Sequence, residues 1–341
     1  MKLSLLLAAF CSVVLANPPP SLPTRQEVVR TTPEQGSLIV SHNGTLGIYK
    51  TLQAAVNALS KTTTTAQSIF IYPGTYKEQV YIPALKGPVT IQGSTADARS
   101  YKNNTAELTY NLALKDVTSN DLTATLRNWS PNTKIYNLNI VNTFGHIATN
   151  GQNLAISAQA TNQGYYGCQF RGYQDTILTN KGKQIYSNSL ITGAVDFIYG
   201  SAGVAWFEEV DIRTIAQGAI TASGRDSTAN PSYFVINNST VDGIDSTIAK
   251  ASTFLGRPWR AFARVVFQHS YIGAIVKPAG WSVWSSTETR TSNVEFGEFN
   301  NTGPGASGPR ASFGKRLGKG VGFAEVIGNS GGQWWIDASY M

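Results

Sequence analysis

The sequence predicts an all-β fold in which the chain coils repeatedly around one core, a parallel β-helix. Charged residues make up 14% of the 341 residues and glycine occurs 32 times, a composition that favours strands and turns over long helices. Short β-type runs such as residues 68–72 and 89–91 are separated by breaks that contain Gly or Pro. A five-residue segment also recurs along the chain, and this repeat favours the β-helix over other all-β folds.

The recurring segment has an apolar residue in the middle and a small or turn-forming residue at the end. Its six copies begin 21 to 31 residues apart, at Leu138, Cys168, Ser189, Val210, Ser239 and Ser270. Periods of this length are typical of solenoids, whose coils stack because no coil can bury its apolar side alone. The alternative, a β-sandwich, requires antiparallel hairpin signals at shorter spacing, and few are present.

The first residues have the pattern of a secretory signal peptide. Lys2 precedes the mostly apolar run 3–15, which is too short to span a bilayer comfortably, and Ala16 supplies a small residue for cleavage. We therefore expect a signal peptide in residues 1–16, an extended Pro-rich leader in residues 17–35 and one β-helix domain in residues 36–341. The protein is expected to be secreted, without a membrane anchor.

One amphipathic helix is predicted over residues 51–61, before the short β-type runs begin to dominate. Leu52, Ala55, Val56 and Leu59 fall on one face of this helix. A helix at this place could cover one open end of the stack and shield its unpaired backbone groups.

The net charge of +7 fits either a basic surface with no partner or attraction to a polyanion. An acidic polysaccharide suits this charge, whereas nucleic acid is not supported, because no Lys/Arg-rich run or recognition motif is present. Once the signal peptide is removed, Cys168 is the remaining cysteine, so no intrachain disulfide is expected. Because no His lies near it in sequence, we interpret Cys168 as a buried structural thiol. Sequences for N-glycosylation begin at Asn43, Asn103, Asn128, Asn237, Asn238 and Asn300.

Two aspartates occupy matching positions in neighbouring copies of the repeat. Asp175 and Asp196 lie 21 residues apart, and each follows a glycine (Gly172 and Gly193) by three residues. Since adjacent strands are about 4.8 Å apart, one coil per 21 residues stacks the two carboxyl groups. Like charges this close disfavour joint ionisation, which leaves one carboxylate to attack and one acid to donate a proton. Two unrelated surface aspartates are the alternative.

Two glutamines extend the hypothesis of a carboxyl-pair site. Gln174 precedes Asp175, and Gln152 lies about one coil earlier. Side-chain amides are neutral donors that suit a developing oxyanion. A row of stacked side-chain amides that only hydrogen-bond the backbone at the turns of the coils would give the same pattern.

The segment 255–260 and the tryptophans near it are further candidates. Arg257 could hold a carboxylate through two hydrogen bonds, or it could lie on the surface without a partner. Trp259, Trp281 and Trp284 could stack on sugar rings, or they could pack in the core or at an end of the fold.

Five segments together resemble the signature motifs of the pectin methylesterases, the pectinesterases of carbohydrate esterase family 8, and look closest to the secreted fungal type. They are GTYKE at 74–78, QNLAI at 152–156, QDTIL at 174–178, DFIYG at 196–200 and LGRPW at 255–259. The resemblance implies a single-stranded right-handed parallel β-helix. It also implies hydrolysis of the methyl esters of galacturonate units in pectin, giving methanol and pectate, without a metal or cofactor.

The resemblance assigns a role to each candidate residue of the site. It implies that Asp196 is the nucleophile and forms an acyl-enzyme, and that Asp175 protonates the leaving methanol and then activates water. Gln152 and Gln174 are implied to stabilise the oxyanion, and Arg257 to orient Asp196.

Aromatic residues are expected to bind the substrate. The resemblance implies that Trp259 and Trp284 line the sugar cleft, and we assign Tyr199 and Trp281 to substrate binding as well. Tyr199 stands where Phe is frequent in the family. The protein is expected to act on pectin as a monomer.

The arginine assignment rests on the motif, because the repeat by itself points elsewhere. Counting coils places Arg257 about two coils beyond Asp196, whereas Arg225 lies nearer.

Three other functions share parts of this pattern. Pectin and pectate lyases use an Arg or Lys as the base. Many of them also bind calcium through an acidic cluster, which the sequence lacks beside the Asp pair. A polygalacturonase is also an Asp-based β-helix enzyme, but the glutamines and the arginine favour acyl chemistry. A wall-binding β-helix without activity would explain the tryptophans but not the register of the aspartates.

Overall fold

Strands are the main regular secondary structure of the chain, and the structure, a computed structural model, describes residues 28–42, 47–329 and 332–341. The expected signal peptide, the leader before residue 28 and Asn43 lie outside the described residues. The helices are α1 (Leu52–Ala58) and α2 (Phe323–Val326), with 3₁₀ turns at Leu114–Asp116, Asn120–Thr123, Pro304–Ala306 and Ala338–Tyr340. The strands are β1 (Leu38–Val40), β2 (Gln67–Ile71), β3 (Gly74–Lys77), β4 (Val80–Ile82), β5 (Val89–Gly93), β6 (Ala106–Tyr110), β7 (Leu126–Asn128), β8 (Thr133–Tyr136), β9 (Leu138–Asn142), β10 (Ile156–Ala158), β11 (Gln163–Tyr166), β12 (Gln169–Arg171), β13 (Ile177–Thr179), β14 (Lys181–Ser187), β15 (Leu190–Gly200), β16 (Ala202–Glu208), β17 (Asp211–Ser223), β18 (Tyr233–Asn237), β19 (Thr240–Gly243), β20 (Thr253–Pro258), β21 (Arg264–Gln268), β22 (Tyr271–Ile272), β23 (Glu295–Phe299) and β24 (Gly314–Arg316).

The ladders that join these strands are parallel, and they build two long sheets. One sheet runs in the order β1-β2-β5-β8-β11-β14-β16-β18-β21-β23-β24. Its neighbouring strands come from successive coils of the chain, as in a solenoid. The fold is therefore the parallel β-helix that the repeat predicts.

The second sheet turns a corner, and two long strands run around it. The first part of β15 pairs with β12, whereas Ile198 and Tyr199 pair with β13. Likewise the first part of β17 pairs with β19 and the last part with β20. The pairing of β15 with β17 shifts register twice between Gly193 and Ile198. This irregular corner divides the sheet into two parts, whose strands have different partners.

The six copies of the recurring segment are stacked in register, as predicted. Their second residues form one row of paired positions, Asn139, Gln169, Leu190, Asp211, Thr240 and Tyr271. Their middle residues point into the core and are fully buried, namely Ile140, Phe170, Ile191, Ile212, Val241 and Ile272. Each such side chain contributes about 1.5–3 kcal/mol through burial, so the apolar middle position holds neighbouring coils together.

Aromatic rings in the core keep the same spacing as the strands. Tyr165, Tyr186 and Phe207 lie on successive coils, and their ring centroids are 4.8 Å apart at each step. This distance matches the separation of paired strands. A slip of one residue would move these rings out of the core, so the column fixes the register.

Helix α1 packs on β1, β2 and β4, at the end of the stack where β1 is the edge strand. Thr51 caps it by accepting a hydrogen bond from the Ala54 amide, and the helix ends before Leu59, whose backbone is extended. The predicted capping helix is thus confirmed, although it is shorter than residues 51–61.

The burial of individual residues tests the predictions for Cys168 and for the N-glycosylation sequences. Cys168 is fully buried, and burial raises the pKa of its thiol to about 12, which confirms an inert structural thiol. Asn128 is also fully buried and donates to the Tyr165 hydroxyl, so this site cannot carry a glycan in the folded protein. Asn103, by contrast, is exposed.

Candidate active site

The two aspartates of the repeat lie at the corner of the second sheet. Asp175 and Asp196 both have a left-handed backbone, with φ of 64° and 50°, a conformation that Asp tolerates better than most residues. Gln174 and Val195 form a parallel bridge, and the Asp175 amide donates to the Val195 carbonyl at 3.0 Å. The two aspartates therefore follow matched backbone positions on adjacent coils, as the sequence predicts.

Arg257 binds Asp196 with both arms of its guanidinium group. Nε lies 2.9 Å from Oδ1 and Nη2 lies 2.8 Å from Oδ2. Through its register with Ala222 and then Tyr199, Arg257 stands two strands away from β15, about 10 Å. The long side chain bridges this distance, so the coil count did not exclude the contact.

Arg225 is not at the site, although the coil count placed it nearer. Its side chain is buried and forms an ion pair with Glu295 at 2.9 Å. It also donates to the backbone carbonyls of Thr228, Asn230 and Phe262. These bonds fix the chain segment that follows β17. Arg225 is therefore a structural residue, and Arg257 is the arginine that pairs with Asp196.

The environment makes the two carboxyl groups unequal. Burial raises the pKa of Asp175 well above its ordinary value, and the nearby Asp196 raises it further, while the charge of Arg257 and a hydrogen bond from Tyr199 oppose the rise. Burial also raises the pKa of Asp196, but two hydrogen bonds and the charge of Arg257 counteract this. Asp175 is therefore the group that keeps its proton, and Asp196 is the one that ionises.

Both predicted glutamines line the same cavity as the aspartates. This cavity of about 220 Å³ is lined by Asn120, Gln152, Gln174, Asp175, Asp196, Tyr199, Ala222, Arg257, Trp259 and Trp284. The Gln152 Oε1 atom is buried without a hydrogen-bond partner. Asn153 joins the two coils, because its amide donates to the Gln174 carbonyl and its side chain accepts from the Gln174 amide, both at 3.0 Å. These two bonds fix the backbone that carries Gln174 beside the coil that carries Gln152.

Two of the predicted tryptophans stand at the cavity. Trp259 is partly exposed and meets the Tyr199 ring edge-on at 5.9 Å. Trp284 is also partly exposed, and the guanidinium groups of Arg257 and Arg290 lie 4.3 and 4.8 Å from its ring centroid. The Trp259 ring can offer a flat apolar surface to a sugar, whereas guanidinium groups lie over the Trp284 ring.

The prediction that Trp281 binds substrate is wrong. Trp281 is 1% exposed, stacks on Phe296 at 4.3 Å and donates from Nε1 to Glu298. Its ring points inward because its backbone pairs with Gly256 on β20, where the missing side chain leaves room for the ring. Trp281 is therefore a core residue.

Tyr199 lies in the cavity wall with little exposed surface. It is 3% exposed, so its ring offers little area to a sugar. Its hydroxyl group lies beside Asp175 instead, because both accept a hydrogen bond from the Asn120 side chain.

Asn120 is a site residue that the sequence reasoning missed. Its Nδ2 donates to Asp175 Oδ2 at 3.2 Å and to the Tyr199 hydroxyl at 3.0 Å. Asn120 belongs to a 3₁₀ turn rather than to the repeat. It is 55 residues away from Asp175 in the chain, and no periodic signal marks it.

Comparison with known proteins identifies the family. The pectinesterase family model matches residues 37–313. The chain belongs to the pectinesterase family. It is 46% identical over 318 residues to a pectinesterase of Aspergillus niger, covering 92% of this chain and 94% of that protein. A pectinesterase of Aspergillus aculeatus is also 46% identical over 318 residues, covering 91% and 94%.

Solved structures of the family have the same fold. The crystal structure of the deglycosylated pectin methylesterase from Aspergillus niger matches with a TM-score of 0.84 at 35% identity, covering 92% of this chain and all of that one. Pectin methylesterase from carrot matches with a TM-score of 0.76 at 26% identity, covering 84% and 90%.

No group of three or more His, Cys, Asp or Glu side chains that could hold a metal ion occurs within residues 28–42, 47–329 and 332–341. In the same part of the chain, no helix is long and apolar enough to cross a membrane.

Proposed function

We propose that the protein hydrolyses the methyl esters of galacturonate units in pectin, releasing methanol and leaving pectate. The observation that carries this proposal is the Asp196 carboxylate, held by two hydrogen bonds from Arg257 beside the buried Asp175. Membership of the pectinesterase family and the names of the relatives support the substrate.

In the first half of the reaction, a carboxylate oxygen of Asp196 attacks the carbonyl carbon of the methyl ester. The ester oxygen becomes an oxyanion, which the amides of Gln152 and Gln174 stabilise. When this intermediate collapses, the bond to the methoxy oxygen breaks. Asp175 transfers its proton to that oxygen, so methanol leaves and an anhydride joins Asp196 to the sugar.

In the second half, Asp175 is a carboxylate and acts as a base. It takes a proton from water, and the resulting hydroxide attacks the galacturonate carbonyl carbon of the anhydride. The bond to Asp196 breaks and Asp196 leaves as a carboxylate. Asp175 has regained its proton, and Arg257 again holds the nucleophile ionised.

The sugar chain binds along the cavity mouth. Trp259 and Trp284 are partly exposed there, and Trp259 supplies an apolar face next to the carboxyl pair. Burial of an aromatic ring against a sugar positions the ester without adding charge.

The protein is proposed to act outside the cell as a monomer. Residues 1–16 would direct secretion, residues 17–35 would form a leader, and residues 36–341 would form the catalytic domain. The pattern of Lys2, an apolar run and Ala16 supports the first of these assignments.

Methanol release from highly methylated pectin tests the function. We expect methanol without shortening of the polymer, and Asp196→Ala should reduce the rate by at least about a thousandfold, since the nucleophile is lost. Asp245→Ala, at an exposed aspartate, is the matched control and should keep the wild-type rate.

The products also separate the competing functions. New reducing ends would indicate a glycoside hydrolase, unsaturated ends a lyase, and pectin binding without products a wall-binding protein. Substantial turnover by a correctly folded Asp196→Ala protein, with folding checked by circular dichroism, would reject the nucleophile assignment.

A further inference from the structure

Asn120 places one amide group between two members of the site. Its Nδ2 carries two hydrogens, and it contacts both Asp175 Oδ2 at 3.2 Å and the Tyr199 hydroxyl at 3.0 Å. One hydrogen is thus available for each oxygen. The amide can tie the carboxyl group and the phenol to one another.

The turn that carries Asn120 is firmly attached to the β-helix. Thr123 is fully buried, and its hydroxyl donates to the Asn120 carbonyl at 2.8 Å while accepting from the Leu154 amide at 3.2 Å. Gln79 donates to the carbonyls of Leu122 and Ala124. Asn120 is therefore held in position by bonds to other coils.

The Tyr199 hydroxyl has one hydrogen and lies beside Asp175, since both oxygens accept from the Asn120 amide. Since Asn120 donates to the hydroxyl oxygen, the phenol proton remains free to bond the carboxylate. Burial, with the charge of Asp175 as the next cause, raises the pKa of Tyr199 well above its ordinary value. Tyr199 therefore stays protonated and acts as a donor.

We propose that Asn120 and Tyr199 are positioning residues that orient the Asp175 carboxyl group and stabilise its ionised form. This inference rests on the proposed function, because it concerns the acid–base step of that reaction. Both groups are donors, and an ionised carboxylate is a better acceptor than a carboxylic acid. The pair therefore favours the state that Asp175 reaches after methanol has left.

The other groups around Asp175 act in both directions. Burial and Asp196 raise the pKa of Asp175, whereas the charge of Arg257 lowers it. Asp121 adds a negative charge near Tyr199, but its own carboxylate is paired with Arg127 at 2.6 Å. Because burial and Asp196 both favour the protonated acid, the two donors help Asp175 to release its proton and then act as a base.

Removal of either donor should shift the pH dependence in a defined direction. Acylation requires protonated Asp175, so its pKa sets the alkaline limb of kcat/KM. In Tyr199→Phe and Asn120→Ala the pKa of Asp175 rises, and the alkaline limb should move up by about half a pH unit or more. Deacylation requires ionised Asp175, so kcat at neutral pH should fall about threefold to tenfold, more than kcat/KM.

The two variants should also be coupled. One amide serves both partners, so the double variant Asn120→Ala/Tyr199→Phe should lose less activity than the product of the two single losses. A rapid burst of methanol followed by a slower steady rate would show that deacylation has become limiting.

Tyr186→Phe is the matched control. Tyr186 is fully buried in the core, and its hydroxyl group has no hydrogen-bond partner, so this change deletes a hydroxyl without touching the site. It should leave both limbs of the pH profile in place.

Different failures have different meanings. If the wild type releases no methanol from pectin, the proposed function is wrong. If the wild type is active but Tyr199→Phe and Asn120→Ala keep its pH limbs and its ratio of kcat to kcat/KM, only the inference about the donor pair is overturned.

Discussion

A single side chain, Arg257, sets the difference between the two carboxyl groups. Burial acts on both aspartates, yet only Asp196 receives two hydrogen bonds from a guanidinium group. Two hydrogen bonds between a guanidinium cation and a carboxylate anion are stronger than bonds between neutral groups, and they also fix the orientation of the carboxylate. This asymmetry assigns the nucleophile and the acid to different residues.

Arg257→Gln should weaken catalysis most at low pH. Without the guanidinium group, burial raises the pKa of Asp196 further, and Asp196 must be ionised to attack. The acidic limb of kcat/KM should therefore move to higher pH, with at least about a tenfold loss below it. Methanol release measured over a pH series checks this shift.

Arg316→Gln removes the same charge at an exposed position and is the control for a general field effect. An equal displacement of the acidic limb in both variants would contradict the direct role of Arg257.

At the scale of elements, the bend of β15 and the turn after β12 place the chemistry. Register shifts in β15 between Gly193 and Ile198 coincide with the left-handed residue Asp196. A regular strand would point alternate side chains to opposite faces, whereas the bend turns this carboxyl group towards Arg257. The irregular pairing of β15 at Asp196 therefore places this carboxyl group in the site.

Helix α1 depends on a residue from the first motif of the family resemblance. The Glu78 carboxylate accepts the amides of Leu52 and Gln53 at 2.7 and 2.9 Å. These amides have no partner within the helix, and a negative charge suits the helix N-terminus. The motif therefore includes a residue that fastens the cap to the solenoid.

Glu78→Ala should lower the free energy of unfolding by about 1–3 kcal/mol, because two amides lose a charged acceptor. Urea denaturation measures the change, and kcat for methanol release by the folded protein should stay at the wild-type value. Lys77→Ala, at the exposed neighbour, is the control. If the two variants were equally stable, Glu78 would not stabilise the N-terminus of helix α1.

At the scale of the whole molecule, the net charge of +7 suits an acidic polymer. Each ester that is hydrolysed adds a negative charge to the pectin, so the protein's summed field attracts partly de-esterified chains more strongly. The attraction between exposed charges is screened over about 8 Å at physiological ionic strength.

Binding to partly de-esterified pectin should therefore weaken as sodium chloride is added. We expect KM to rise severalfold between low and high salt for this substrate, with a much smaller change for fully methylated pectin. A KM that is independent of salt for both substrates would show that the net charge does not contribute to binding.

The register of Asp175 and Asp196 could be predicted from the sequence because a repeat imposes it. Each coil must place its apolar middle residue over that of the next coil, as Phe170 does over Ile191, and residues at equal distances from these positions are then stacked. The fold and the position of the carboxyl pair follow from this periodicity, whereas the capping helix follows from the helical spacing of its own apolar residues.

Only the tertiary structure decided which residues outside the repeat reach the pair. Trp281 and Trp284 are three residues apart, yet one packs on Phe296 and the other faces the cavity, because packing against other coils decides the direction of each ring. Arg257 reaches Asp196 because its side chain is long enough to cross two strands. Asn120 arrives on a turn whose position depends on bonds to distant coils, and such contacts leave no period in the sequence.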